Sequence, residues 1–172
     1  AANAGAIAWS PSGIVVGDRL PADGGSSVSL TLLRPNGARD VLDADAGHPL
    51  RVDADATHAY YADTLGSRIV RVALDGGSPA VLASEQAWPV GLAVDATHVY
   101  WTTRGGGFDP GTACGGLGSL ARVPKAGGAV EVLASGLDCP GFLLLESDEV
   151  YWVAQGTVPG ETADGKVQRR VK

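Results

Sequence analysis

The chain has 172 residues, 45% of them hydrophobic and 19% charged, with a formal net charge of −6 and a pI near 4.9. That composition supports a packed core and excludes a disordered tail. The acidic balance, with no basic run beyond the terminal KVQRR, excludes the phosphate-neutralising surface that nucleic acid requires. No apolar run reaches the ~18 residues of a spanning helix. The 25 glycines and 10 prolines recur at short intervals, which marks many tight turns, and no stretch sustains a 3.6-residue apolar period.

In chain order, one pattern is written four times. AIAWSPSGIVVGD, from Ala6, is the most degenerate copy; VDADATHAYYADT follows from Val52, VDATHVYWTT from Val94 and LLLESDEVYWVAQ from Leu143. His58 lies over His98 at a period of 40, and Val15 lies over Tyr60 at 45. Tyr151 follows Tyr100 by 51, and the excess falls in one Gly-rich insertion, Arg104 to Gly118. Such periods belong to propeller blades and solenoid units. The repeats fall at about 6–45, 49–84, 89–136 and 140–172, within a single domain, 1–172.

Each copy predicts four short strands. Pro89 to Asp95 is small and apolar, and ATH then turns the chain into VYWTT, whose aromatic and β-branched residues suit a pleated surface. Ser119 to Lys125 and Ala129 to Gly136 alternate apolar with polar and flank an AGG hairpin. LDGG (Leu74 to Gly77) and RPNG (Arg34 to Gly37) write the same hairpin in earlier copies, with residues that tolerate positive φ. KVQRRVK, at the end, matches a third strand, so the last copy lacks its outer strand. The expected fold is all-β, a β-propeller of four-stranded antiparallel blades, and stacking is how each blade covers its faces. Tyr60, Tyr61, Tyr100, Trp101, Tyr151 and Trp152 are expected to fill the wedges between blades.

The second-strand motifs YYAD (Tyr60 to Asp63), YWTT (Tyr100 to Thr103) and YWVA (Tyr151 to Ala154) resemble the YWTD repeats of low-density-lipoprotein-receptor-type propellers. The stretch from Arg71 to Trp101 resembles secreted bacterial propeller repeat proteins of unknown function more closely still. The resemblance covers essentially the whole chain, the first copy least. It keeps the terminal aspartate at Asp63, with Asp18 a second candidate, while Thr103 and Ala154 depart from it. The family usually has six blades, so the resemblance implies either part of a larger ring or a small four-bladed ring with one incomplete blade. A part would expose two apolar blade faces and associate through them. A secreted, periplasmic or cell-surface location is implied.

Candidate chemistry is sparse. Cys114, in the insertion, and Cys139, in GLDCP, lie in two kinds of loop that emerge at one propeller face, so a disulfide is expected there, and with it an oxidising compartment. Two buried thiols are the alternative. His58 and His98 recur in one hairpin position and read as structural. A calcium loop wants a third acidic ligand, a glycine at the sharp turn and a later bidentate glutamate; neither DADAGH nor DADATH provides that set, so their paired aspartates read as solvated turns. Arg71, Arg122 and Arg169 recur on third strands, with Thr31 in their place in the first copy, which indicates packing or surface ion pairs. No catalytic residue, metal set or cofactor site is expected. Weak ligand-binding candidates are His48, Trp88, Phe108, Asp109 and Asp138, in loops of one face. The function expected is a non-catalytic binding or scaffolding module for a protein or glycan; a ligand-free structural repeat of a cell-surface protein and a calcium-dependent propeller hydrolase or lactonase are the alternatives.

Overall fold

The computed structural model describes residues 6–19, 28–105, 115–154 and 165–172, and among them there are strands and turns but no helix. The chain divides into two compact units, Ala1–Ser84 and Glu85–Lys172. Each unit is a pair of propeller blades.

In the first unit, blade 1 runs in order through β1 (Ala6–Ser10), β2 (Gly13–Arg19), β3 (Val28–Leu33) and β4 (Arg39–Asp43). Blade 2 repeats this with β5 (Pro49–Ala54), β6 (His58–Asp63), β7 (Arg68–Ala73) and β8 (Ala80–Ala83). In the second unit, blade 3 comprises β9 (Pro89–Val94), β10 (His98–Thr103), β11 (Gly118–Pro124) and β12 (Glu131–Leu137). Blade 4 has three strands, β13 (Pro140–Glu146), β14 (Glu149–Ala154) and β15 (Lys166–Val171). All neighbours are antiparallel, and among the described residues the last repeat has no outer strand, as the sequence predicts.

The doubled aromatics explain the packing. Successive strand residues point to opposite faces, so each aromatic pair supplies one large side chain to each side of its sheet. In the first unit, Ala8, Val15, Leu30 and Leu32 of blade 1 pack on Val52, Ala59, Tyr61 and Val72 of blade 2. The Tyr61 hydroxyl crosses that interface to donate to Asp43 at 2.5 Å. Burial first, then this hydrogen bond, holds the phenol well above its ordinary pKa. In the second unit, Tyr100, Leu120 and Leu133 of blade 3 pack on Val150 and Trp152 of blade 4. Thr102 Oγ1 donates to the Gly141 carbonyl at 2.6 Å. A side chain at Gly91 would lie 2.5 Å from that hydroxyl and 2.6 Å from that carbonyl, so this close approach requires glycine. Tyr60 and Trp101 are also fully buried, and Tyr151 is half-buried.

Register corrects one sequence reading. Tyr60 pairs with Arg71, Tyr100 with Arg122 and Tyr151 with Arg169, but Val15 pairs with Leu32. Leu32, not Thr31, therefore holds the arginine position in blade 1, and Thr31 is buried on the other face. Two of the arginines form surface pairs: Arg122 with Glu131 at 2.8 Å and Arg169 with Glu149 at 2.9 Å.

The recurrent histidines open their strands from one repeated turn. Asp55 accepts the amides of Thr57 and His58, each at 2.8 Å, and the Tyr60 hydroxyl at 3.0 Å. Asp95 does the same for Thr97, His98 and Tyr100 at 2.8, 2.8 and 2.9 Å. These are side-chain mimics of a backbone turn, and they make the histidines structural. Burial works against the Asp95 charge, but the Thr97 and His98 amides and the Tyr100 and Thr97 hydroxyls outweigh it and bring its pKa down to about 2. A carboxyl depressed below its unfolded value stabilises the fold fully above the unfolded pKa, and that contribution is lost as pH falls through the folded one. Wild-type stability is therefore expected to fall between about pH 4 and pH 2, and Asp95→Asn to be less stable at neutral pH with a shallower decline across that window. Urea midpoints measured across the window check this; parallel curves for the two proteins would contradict it.

Candidate functional site

Loops entering the innermost strands emerge at the same end of each sheet as the connections that follow the second strands. Three of these entries have one design, a residue before a strand-opening proline: His48 before Pro49, Trp88 before Pro89 and Cys139 before Pro140. The carbonyl of that residue accepts an amide from beyond the second strand, Thr64 to His48 at 3.1 Å in blade 2 and Arg104 to Trp88 at 3.1 Å in blade 3.

In the first unit this loop is organised by Asp63, the retained motif aspartate, which is 1% exposed. Its carboxylate accepts the His48 amide at 2.9 Å, the Gly66 amide at 3.0 Å and Arg68 Nε at 2.8 Å. Side chains at Gly47 or Gly66 would fall on the carboxylate itself, 2.0 to 2.7 Å away, so the two glycines make its room. The imidazole of His48 stays exposed while its backbone is fixed. The role of Asp63 is positional.

In the second unit the loop is strained. Glu85 and Trp88 take φ of +57° and +59°, and Cys139 takes +44°. Non-glycine residues hold such angles only where surrounding contacts over-determine them. Here the Trp88 loop is stitched to the stem of the insertion by Arg104 N–H to the Trp88 carbonyl and Gly105 N–H to the Ala87 carbonyl, each 3.1 Å. Trp101 Nε1 donates to Gln86 at 2.8 Å from below. Gly105, at φ +78°, lies so close to Leu117 that a Cβ would sit 2.1 Å from its carbonyl oxygen. The stem thus closes at its base, and Leu117 is left 66% exposed.

Of the sequence candidates, His48 is exposed in the first unit; in the second, Trp88 is half-buried and Asp138 exposed. Phe108, Asp109 and Cys114 lie outside the described residues. Cys139 is fully buried, and no free cysteine occurs among the described residues. Asp63 and Leu117 were not singled out by the sequence as site residues. The first had a signal, as the one copy that ends its second-strand motif on aspartate before Thr-Leu-Gly; Leu117 had only its apolar character among glycines.

At the opposite, hairpin end of the first unit, a depression of about 370 Å³ is lined by Ser12, Arg34, Thr57, His58 and Asp75. Its cation is occupied, because Arg34 pairs with Asp40 and donates to the Leu74 carbonyl at 3.3 Å. Among the described residues no three His, Cys, Asp or Glu side chains gather as a metal-binding group.

No family model matches the chain, and no curated protein matches it. Solved structures do. A chain from the crystal structure of a nidogen/laminin complex superposes with a TM-score of 0.73 at 20% identity, over 97% of this chain and 65% of that one. The computationally designed Ika4 protein gives 0.70 at 15%, over 98% of this chain and 90% of that one. The luciferin-regenerating enzyme gives 0.64 at 11%, over 96% and 60%. This chain therefore spans less than two thirds of the nidogen/laminin-complex chain and of the enzyme. At these identities the likeness establishes the β-propeller fold alone.

Proposed function

We propose that this chain is a non-catalytic protein-binding module of the YWTD-like propeller type, working through the loop end that carries Trp88 and Leu117. The observation that carries the reading is the Trp88 loop: a half-buried indole at φ +59°, stitched to the insertion stem beside an exposed leucine. A rigid aromatic with apolar neighbours loses little conformational entropy on binding and forms the kind of anchor that dominates protein interfaces. One similar fold comes from a complex of two proteins, nidogen with laminin, which accords with this reading. Another is an enzyme, and a propeller hydrolase is the competing class.

With this reading go a Cys114–Cys139 disulfide, a secreted or cell-surface setting, and the four repeats acting as one domain. A disulfide closing that loop would contribute roughly 3 kcal/mol. Titration of the unfolded, unreduced chain should find no reactive thiol; two would remove the disulfide and its argument for an oxidising compartment.

The binding claim is tested by affinity capture from extracellular protein extract, followed by purified binding of whatever the wild-type chain retains. Trp88→Ala is expected to weaken that binding by roughly 30-fold, the factor of a typical interface hot spot, and Leu117→Ser by less. Unchanged affinity in both variants would contradict the assignment, and selective retention on a glycan array without a protein partner would redirect it to sugar.

A further inference from the structure

Nine of the fourteen large apolar side chains exposed among the described residues lie on just two sheet faces. On blade 1, register places Ile7 beside Val16, Trp9 beside Ile14, Ile14 beside Leu33 and Thr31 beside Val41, all on one side. Ile7 and Trp9 are 69% and 73% exposed there. On blade 4, Leu144 lies beside Tyr151, Val153 beside Val167 and Glu149 beside Val171, with Phe142 on the same side. Leu144 and Val167 are 65% and 71% exposed. Contiguous apolar surface of this kind marks an interaction site.

The two faces are of opposite kind, and the repeat shows what each one fits. Ile7 and Ile14 occupy the positions of Val52 and Ala59, the face of blade 2 that packs on blade 1. Tyr151 and Val167 occupy the positions of Tyr100 and Leu120, the face of blade 3 that packs on blade 4. Blade 1 thus exposes a face whose equivalent elsewhere is covered by a preceding blade, and blade 4 one whose equivalent is covered by a following blade. One chain carries both halves of the same joint.

We propose that the exposed face of blade 1 receives the exposed face of blade 4 from a second copy of this chain, head to tail, in the register of the blade 1–blade 2 and blade 3–blade 4 contacts. The bulkiest side chains are offset in that register: Trp9 sits at the hairpin end of β1, whereas Phe142 sits at the entry of β13, the opposite end. A contact between two different patches is heterologous, so copies join head to tail, each joint covering one face of each partner. This inference concerns the sheet faces and does not depend on the loop end or its partner.

Sedimentation velocity of the chain at micromolar concentration tests it, with Trp9→Glu, Leu144→Glu and Val167→Glu variants. All three side chains are exposed, and circular dichroism melts verify that each variant folds. The wild-type chain is expected at the mass of two or more copies and each variant alone at the mass of one. An equimolar mixture of Trp9→Glu with Leu144→Glu should regain two-copy species, because each partner brings one intact face. A wild-type chain at single-copy mass would overturn the proposal, as would variants that keep the double mass or a mixture that stays at single mass.

Discussion

Everything in this structure follows from one constraint: a sheet with large apolar residues on both faces has to be covered on both. Tyr60–Tyr61, Tyr100–Trp101 and Tyr151–Trp152 put adjacent aromatics on opposite sides of their sheets, so none of blades 2, 3 and 4 can turn a side to water without exposing one of them. Stacking is the solution, and the four-fold repetition is its record. Where a neighbour is present, the interface is apolar and crossed by a few polar contacts, Tyr61 to Asp43 in one unit and Thr102 to the Gly141 carbonyl in the other. Where none is present, as at Ile7, Trp9, Leu144 and Val167, the same positions stand in solvent.

The two ends of the blades are built to different rules. Hairpin ends are self-sufficient: Asp55 and Asp95 each saturate one turn with hydrogen bonds and leave little for a ligand. Loop ends are held from beneath, by Asp63 under the His48 loop and by Gln86 and the insertion stem around the Trp88 loop. A fixed backbone that presents an exposed or half-exposed side chain is how rigid scaffolds make recognition surfaces. That difference locates the proposed binding site better than any single residue does.

Much of the fold was legible because hairpins, alternation and doubled aromatics are local signals. The RPNG turn, the repeated Asp-Ala-Thr-His and the three described strands of the last repeat could all be read from the letters. The equivalence of Thr31 with the arginines does not hold, because strand position in a degenerate copy is not fixed by spacing from the other copies. Register is set by the hairpin partner, and Val15 pairs with Leu32. Trp88 was named as a site residue, but its left-handed backbone was unreadable: nothing in tryptophan signals positive φ, and a following proline biases toward extended geometry. The joint between copies was legible only as a general liability of open blades. Which face was which needed the register.

Native-state hydrogen exchange, followed strand by strand at high and low chain concentration, tests the covering constraint most directly. The account predicts that amides of β1, β2, β14 and β15 exchange faster on dilution as their faces lose cover. Those of β6 and β10, which carry the fully buried Tyr60, Tyr61, Tyr100 and Trp101, should keep their protection. If the end blades are as protected as the inner ones and dilution changes neither, their exposed faces need no neighbour, and the account is wrong.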